Sequence, residues 1–448
     1  MGVAWAPRAL LVVLIISCST CIERASCAIA SGGATTDAPG GFYRRNSAPS
    51  QPSSGCTSHD GWVERGLALP GTTTVHSVQV GNLTRSFRVH LPPDYTRFPP
   101  TPLPLLFGFH GYTDLASDFE SYSALSQLAD TLQGNLSFIG VYPQGMGDIN
   151  PAADPQHAAD WYSWNGGGCS QSPGRLGETC AQHASGNVPI YGVRDLHFLS
   201  CEDPARSPGH WVSLKNGTRQ WVTSACNACT CADDEAFVRN MAEAVASNLC
   251  VDRRRYYATG FSWGAMFVYS LALHPSLGSL FAAVAPVSGG ILKGFDLEEA
   301  LRRRKEGASS AVAGHGLGLL DVHGTLDAQV PANGTNSSAG WAQSVDGWYY
   351  NPIDRLLQGF AELNGCPSVA SWTGWSTPWS GPTADPSWGN LVCIGAVAGE
   401  AGNTRAVEMA RCTWEGEHSW PYVLPSGGAD LVWGFLARHA LPQPQPNE

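Results

Sequence analysis

Along most of the chain, short apolar runs bounded by proline and glycine alternate with stretches of helical period. Thr74 to Val80 and Ser86 to Leu91 are β-rich, and Leu103 to Phe109 and Phe138 to Tyr142 are apolar runs. Runs of that length between breakers predict buried strands. From Asp233-Asp234 the period changes: Phe237, Met241, Val245 and Leu249 recur at i, i+4, which is one face of a helix. The two acids are placed to cap that helix and to complement its dipole. Tyr256 to Thr259 then predicts a strand and Met266 to Leu273 a helix, with further apolar runs at Phe281 to Val287 and Leu317 to Val322. Arg302-Arg303-Arg304-Lys305 follows Glu298-Glu299 and reads as an exposed helix face. Val407 to Cys412 alternates like a last strand. Strands alternating with helices predict an α/β architecture built on a mostly parallel, doubly wound sheet.

Composition sets the scale of that core. The chain has 448 residues, 43% hydrophobic and 14% charged, enough apolar side chain for one large domain. We expect it at residues 59–440, with a short tail at 441–448. At the start, Arg8 precedes an apolar run from Ala9 to Ile16 and small residues ending near Ala30, the pattern of a secretory signal peptide over residues 1–30. The run is well short of the about 20 residues a membrane anchor needs, and Ile15-Ile16-Ser17-Cys18 resembles a bacterial lipoprotein cleavage box only weakly. Residues 31–58 are rich in Gly, Ser, Pro and Thr without apolar period and predict a flexible leader. Residues 169–231 hold six of the fourteen cysteines and little periodicity, a stapled insertion.

Cleavage near Ala30 leaves eleven cysteines, which an oxidising compartment would mostly pair. We expect Cys366 to pair with Cys393 across the tryptophan-rich loop between them. Cys226-x-x-Cys229-x-Cys231 has a spacing that could hold zinc, but no histidine lies close by, so disulfides are the expected use and no metal or other cofactor is implied. Sequons at Asn82, Asn135, Asn216, Asn333 and Asn336 fit export from a eukaryote. A formal charge of −11 argues against a nucleic-acid partner, which needs a basic face.

The chemistry-bearing pattern is Gly260-Phe261-Ser262-Trp263-Gly264, at a strand-to-helix junction. A G-x-S-x-G there is a nucleophile elbow, whose sharp turn exposes the serine hydroxyl above the sheet. Leu319 to Asp327 is an apolar strand ending in a small-residue turn that presents Asp327, whereas Asp321 lies inside the strand and His323 reads as a packed or hydrogen-bonded strand-end residue. His418 follows the last strand, giving the chain order Ser262, Asp327, His418 that acyl transfer by this fold uses. The backbone amides of Trp263 and of Tyr112, or alternatively Gly111, in the Phe109-His110-Gly111-Tyr112 turn are the expected oxyanion donors. Trp263 and Trp420, beside Ser262 and His418, are the expected substrate contacts. Trp372, Trp375, Trp379 and Trp388 fit equally an aromatic wall for a sugar or phenolic group and plain loop packing.

With these residues located, the chain resembles extracellular feruloyl esterases and, more distantly, polyhydroxybutyrate depolymerases and acetylxylan esterases. The resemblance is carried by ATGFSWG around Ser262, VSGG at Val287 to Gly290, HGTLDAQVP around Asp327, NGC at Asn364 to Cys366 and HSWP from His418. YPQG from Tyr142, SWNGGGC ending at Cys169, DDEAFV from Asp233 and LCVD from Leu249 add to it. It implies an α/β-hydrolase fold, a Ser262–His418–Asp327 triad and a secreted carboxylester hydrolase acting on hydroxycinnamoyl esters of plant-type polysaccharide. A polyester or acetyl ester substrate, or a non-catalytic binding protein on the same scaffold, are the alternatives. Ala265 where the family has a second glycine, and the long 169–231 insertion, depart from the pattern.

Overall fold

The computed structural model describes residues 48–95 (apart from 82), 101–146, 162–166, 233–292, 295, 297–307, 316–335, 344–345, 350–374, 390–398, 407–422 and 424–443, with short strands at 27–28, 173–174, 177–178, 210–213 and 219–222. In chain order the main elements are β1 Thr72–Val80, β2 Leu83–Leu91, β3 Leu103–Phe109, α1 Ala116–Ser123, α2 Leu125–Thr131 and β4 Ile139–Pro143. There follow α3 Asp234–Asn248, β5 Val251–Phe261, α4 Trp263–Leu273, β6 Ala283–Val287, α5 Leu297–Gly307 and β7 Gly318–Gly324. The chain closes with α6 Ile353–Asn364, β8 Val392–Ala398, β9 Val407–Trp414 and α7 Ala429–Leu436.

One eleven-stranded sheet runs in the order β1-β2-β4-β3-β5-β6-β7-β9-β8, with Cys27–Ala28 on the outer edge of β8 and Thr373–Gly374 also paired to β8. The inner pairs β4/β3, β3/β5, β5/β6, β6/β7 and β7/β9 are parallel, and β1/β2, β2/β4 and β8/β9 are antiparallel. This is the α/β-hydrolase fold expected above. Along β3, Leu105, Phe107 and Phe109 face the core shared with α3, α4 and α6, while Leu106 faces Phe119, Leu128 and Trp433 on the other side. Alternation across a strand thus builds two apolar layers from one sheet.

The helix opening at Asp233 follows the expected rule: Asp233 is the N-cap, accepting the Ala236 amide at 2.7 Å. Asp234 behind it is fully buried, paired with Arg85 at 2.7 Å and accepting the Asn165 amide at 2.8 Å.

Two expectations, the leader up to residue 58 and the partner of Cys393, meet a different structure. Residues 48–58, taken as the end of a flexible leader, form a strap along the start of β5: Ser53 is buried and donates to the Leu249 carbonyl at 2.8 Å. Cys56 there is joined to Cys250. Order comes from backbone bonds and a covalent link rather than from apolar burial, so the missing apolar period was uninformative. At the other end, Leu441 exchanges hydrogen bonds with Arg254, carrying the ordered chain past residue 440. Cys393 pairs with Cys412, not Cys366: the two sit opposite each other in the β8/β9 ladder, with Cα atoms 4.1 Å apart.

Most of the insertion at 169–231, including the Cys226–Cys231 cluster, lies outside the described residues, as do Trp375, Trp379, Trp388 and the sequons at Asn82, Asn216 and Asn336. Asn333 is exposed. Among the described residues no helix is long and apolar enough to cross a membrane.

Candidate active site

The site lies at the carboxyl edge of the parallel strands, where an open α/β sheet presents its loops. Ser262 joins β5 to α4 with φ 55° and ψ −117°. Its amide donates to the Val287 carbonyl at 3.0 Å and its carbonyl accepts the Met266 amide at 3.0 Å, so both neighbouring elements hold the turn. A Cβ on Gly264 would lie 2.2 Å from the Phe109 carbonyl oxygen, and one on Gly260 would meet the Gly264 backbone at 2.7 Å. Glycine at both positions is therefore a packing requirement. Ala265, the departure noted above, is accommodated because its partner is Gly289, whose added Cβ would lie 2.4 Å from that of Ala265.

The structure brings the three expected side chains together from three loops. His418 Nε2 lies 2.8 Å from Ser262 Oγ, and His418 Nδ1 lies 2.8 Å from Asp327 Oδ2. With Nδ1–H donating to the carboxylate, Nε2 is left to accept the serine proton. Asp327 Oδ1 is held by the amides of Gln329 at 3.0 Å and Val330 at 2.7 Å. Burial would raise the Asp327 carboxyl, but the His323 ring 3.4 Å away and the hydrogen-bonded His418 outweigh it and hold it at about 2. Asp321 is buried inside β7 and accepts from Tyr269 at 2.7 Å.

The turn after β3 runs past the serine. A Cβ on Gly111 would sit 3.5 Å from Ser262 Cβ. His110 is fully buried, with Nδ1–H donating to the Gly111 carbonyl at 2.7 Å and Nε2 accepting the Gly145 amide at 2.9 Å. Burial pushes its imidazole down to about 4, so the ring is neutral with the proton on Nδ1. Pinning the Gly111 carbonyl orients the trans peptide it shares with the Tyr112 N–H, which points the opposite way.

Both tryptophans expected to touch substrate are buried instead. Trp420 is 0% exposed, donates to the Gly427 carbonyl at 2.6 Å and packs edge-on against Phe119. Trp263 is 4% exposed and donates to the Trp164 carbonyl at 3.0 Å. Each indole N–H needed a partner and found it inward, taking the ring with it. Trp372 is likewise buried.

Sequence reasoning missed several supporting residues. Trp164 donates to the His110 carbonyl at 2.9 Å while accepting from Trp263, tying the β3 turn to the elbow helix. Ser288, at φ 49°, donates to the Ser419 carbonyl at 3.3 Å and steadies the histidine loop. The motifs SWNGGGC and VSGG signalled both positions but not their contacts. An aromatic strip also flanks the site: the Phe261 ring lies 5.0 Å from that of His418, Tyr122 6.0 Å from Phe261, and Tyr422 6.1 Å from Tyr122. Tyr422 is 53% exposed.

No family model matches the chain. Its sequence is similar to a probable feruloyl esterase C of Aspergillus niger, 37% identical over 107 residues, which cover 24% of this chain and 33% of that protein. It is also similar to feruloyl esterase C of Emericella nidulans, 30% identical over 149 residues, covering 32% and 49%. The chain thus spans between a third and a half of these curated relatives. A solved acetyl xylan esterase from Aspergillus awamori aligns over 81% of this chain and 99% of its own, at 12% identity and a TM-score of 0.41. The resemblance to feruloyl esterases is therefore present in the curated proteins, over part of their length.

Proposed function

We propose that the protein is a secreted serine carboxylester hydrolase that releases hydroxycinnamic acids from esterified plant-type polysaccharide. The observation that carries this reading is the Ser262–His418–Asp327 hydrogen-bond chain on a strained elbow, with 2.8 Å at both links. An ordinary surface serine has no base within reach; a nucleophile needs one, and the base needs a third group to orient it.

In this reading His418 Nε2 takes the Ser262 proton as Oγ attacks the ester carbonyl carbon. The amides of Trp263 and Tyr112 receive the oxyanion. Collapse breaks the carbonyl–alkoxy bond, and His418 returns the proton to the departing alcohol. Water then enters the same route, frees the acid and restores Ser262. Asp327 holds the imidazole tautomer and stabilises its cation without taking the proton. The curated relatives support a feruloyl substrate, and the strip Phe261, Tyr122 and Tyr422 takes the place of the two tryptophans as the surface for its planar ring. Export, with the expected signal peptide at residues 1–30 and a catalytic unit over 59–440, belongs to the same proposal.

Turnover of methyl ferulate, acetylated xylan and a short hydroxybutyrate oligomer by the purified protein tests the substrate. Ferulate is expected to be hydrolysed best; preference for either other ester reassigns the acyl group, and no turnover of any of them removes the enzyme reading. Ser262→Ala should fold normally and lose about 10⁶-fold in turnover.

A further inference from the structure

A second histidine lies behind the triad and takes no part in the proton route. His323, at the end of β7, is fully buried between two carboxylates: its Nδ1 lies 3.8 Å from Asp321 Oδ1 and its Nε2 3.4 Å from Asp327 Oδ2. Nε2–H donates to the Val330 carbonyl at 2.6 Å, and Nδ1, facing Asp321, makes no hydrogen bond. The polar atoms recorded against the ring nitrogens, Asp321 Oδ1, Asp327 Oδ2 and the Val330 carbonyl oxygen, are all acceptors. A neutral ring protonated on Nε2 would aim the bare Nδ1 lone pair at the Asp321 carboxylate, whereas a doubly protonated ring sets a positive charge between the two acids.

We propose that His323 is a positioning residue of the candidate triad: as a cation between Asp321 and Asp327 it offsets the charge of the two buried acids, turns Asp327 toward His418, and sets the pH range in which the triad reacts. The inference rests on the triad reading above.

The surrounding charges bear on it from each neighbouring element. Asp321 from β7 is itself bonded by the Tyr269 hydroxyl of α4 and lies 3.8 Å from Arg411 Nε of β9. Asp327 is shared with His418. Burial opposes a charged His323, but the two carboxylates outweigh it and raise the ring to about 9. Without that cation, Asp327 beside His418 would lose the positive charge that His323 sets 3.4 Å from it. A less balanced carboxylate favours the cationic form of its imidazole partner, so the variant lacking His323 is expected to react over a narrower pH range.

The test uses the full chain and two readouts. In a ring ¹⁵N titration by NMR, wild-type His323 is expected to keep both protons through pH 8, and Asp321→Asn to lower its midpoint. The rate of fluorophosphonate labelling of Ser262 is then followed against pH. His323→Gln should move the acid limb upward by about one unit, whereas loss of a purely structural histidine would lower the rate at every pH without moving the limb. A wild-type His323 that is neutral at pH 7, or an unmoved limb in folded His323→Gln, overturns the proposal. If His323→Gln does not fold, the titrations of wild type and Asp321→Asn decide alone. Wild-type protein that resists labelling refutes the nucleophile assignment instead, and the ring titration still reads the charge of His323.

Discussion

Ser262 keeps a backbone conformation that an L-residue holds only where its surroundings enforce it. The enforcement is readable in glycines: Gly260 and Gly264 are bare because backbone occupies the space a Cβ would fill. That part of the site was legible, since G-x-S-x-G encodes a steric requirement. So was the placement of Asp327 rather than Asp321 against His418, because side-chain direction alternates along a strand and only the turn residue reaches the rim. Asp327→Asn should lower turnover by about 10⁴-fold through loss of the tautomer-setting carboxylate, and at least a hundredfold more than Asp321→Asn; equal losses would reassign the acid. Illegible were the tryptophans, because a sequence places a residue beside a catalytic group without saying which way its ring turns. Tyr422, not Trp420, carries the exposed ring. Tyr422→Ala is therefore expected to raise KM for methyl ferulate by about 2–10-fold, the loss of one aromatic contact, and to leave a small acetyl ester unaffected. An equal effect on both esters would mean that Tyr422 supports the histidine loop rather than the acyl group.

At the scale of elements, the apolar runs located β3 to the residue because all seven of its residues are buried. The same signal located β4, β6 and β7 within one or two residues. It failed for α1, α2 and α7, which are short amphipathic or apolar helices without distinctive caps, and for β8, whose partners rather than its own pattern define it. The disulfides show the limit most clearly. Cys393 finds Cys412 through ladder register, a property of two strands that neither segment states by itself. Cys56–Cys250 ties the strap before β1 to the start of β5, across a sequence separation of 194. Removing it as Cys56→Ala/Cys250→Ala should cost about 2–5 kcal/mol, mainly by freeing the unfolded chain. A lowered denaturant midpoint with near-normal turnover is the expected result, since neither cysteine approaches the triad. An unchanged midpoint would show that the backbone bonds of residues 48–58 suffice.

For the molecule as a whole, the opposed shifts of buried groups predict an optimum of stability in pH. His110 is neutral in the fold, held at about 4, whereas the unfolded ring takes up a proton near 6.5. Its contribution is complete above pH 6.5 and is lost as pH falls toward 4. Asp327, held at about 2 against an ordinary 3.8, adds stability that is present above pH 4 and disappears as pH falls through 2. His323 has the opposite sign: raised from 6.5 to about 9, it contributes fully below pH 6.5 and loses its share as pH rises through 9. The opposing slopes meet near pH 6.5, and each full proton difference tilts stability by about 1.4 kcal/mol per pH unit. The urea midpoint of the folded chain is therefore expected to peak between pH 6 and 7 and to fall on both sides. His323→Gln should flatten the alkaline side between pH 6.5 and 9 while keeping the acid decline, because His110 and Asp327 remain. A wild-type midpoint that stays level from pH 6.5 to 9 would show that the buried His323 does not carry the charge its two carboxylates favour.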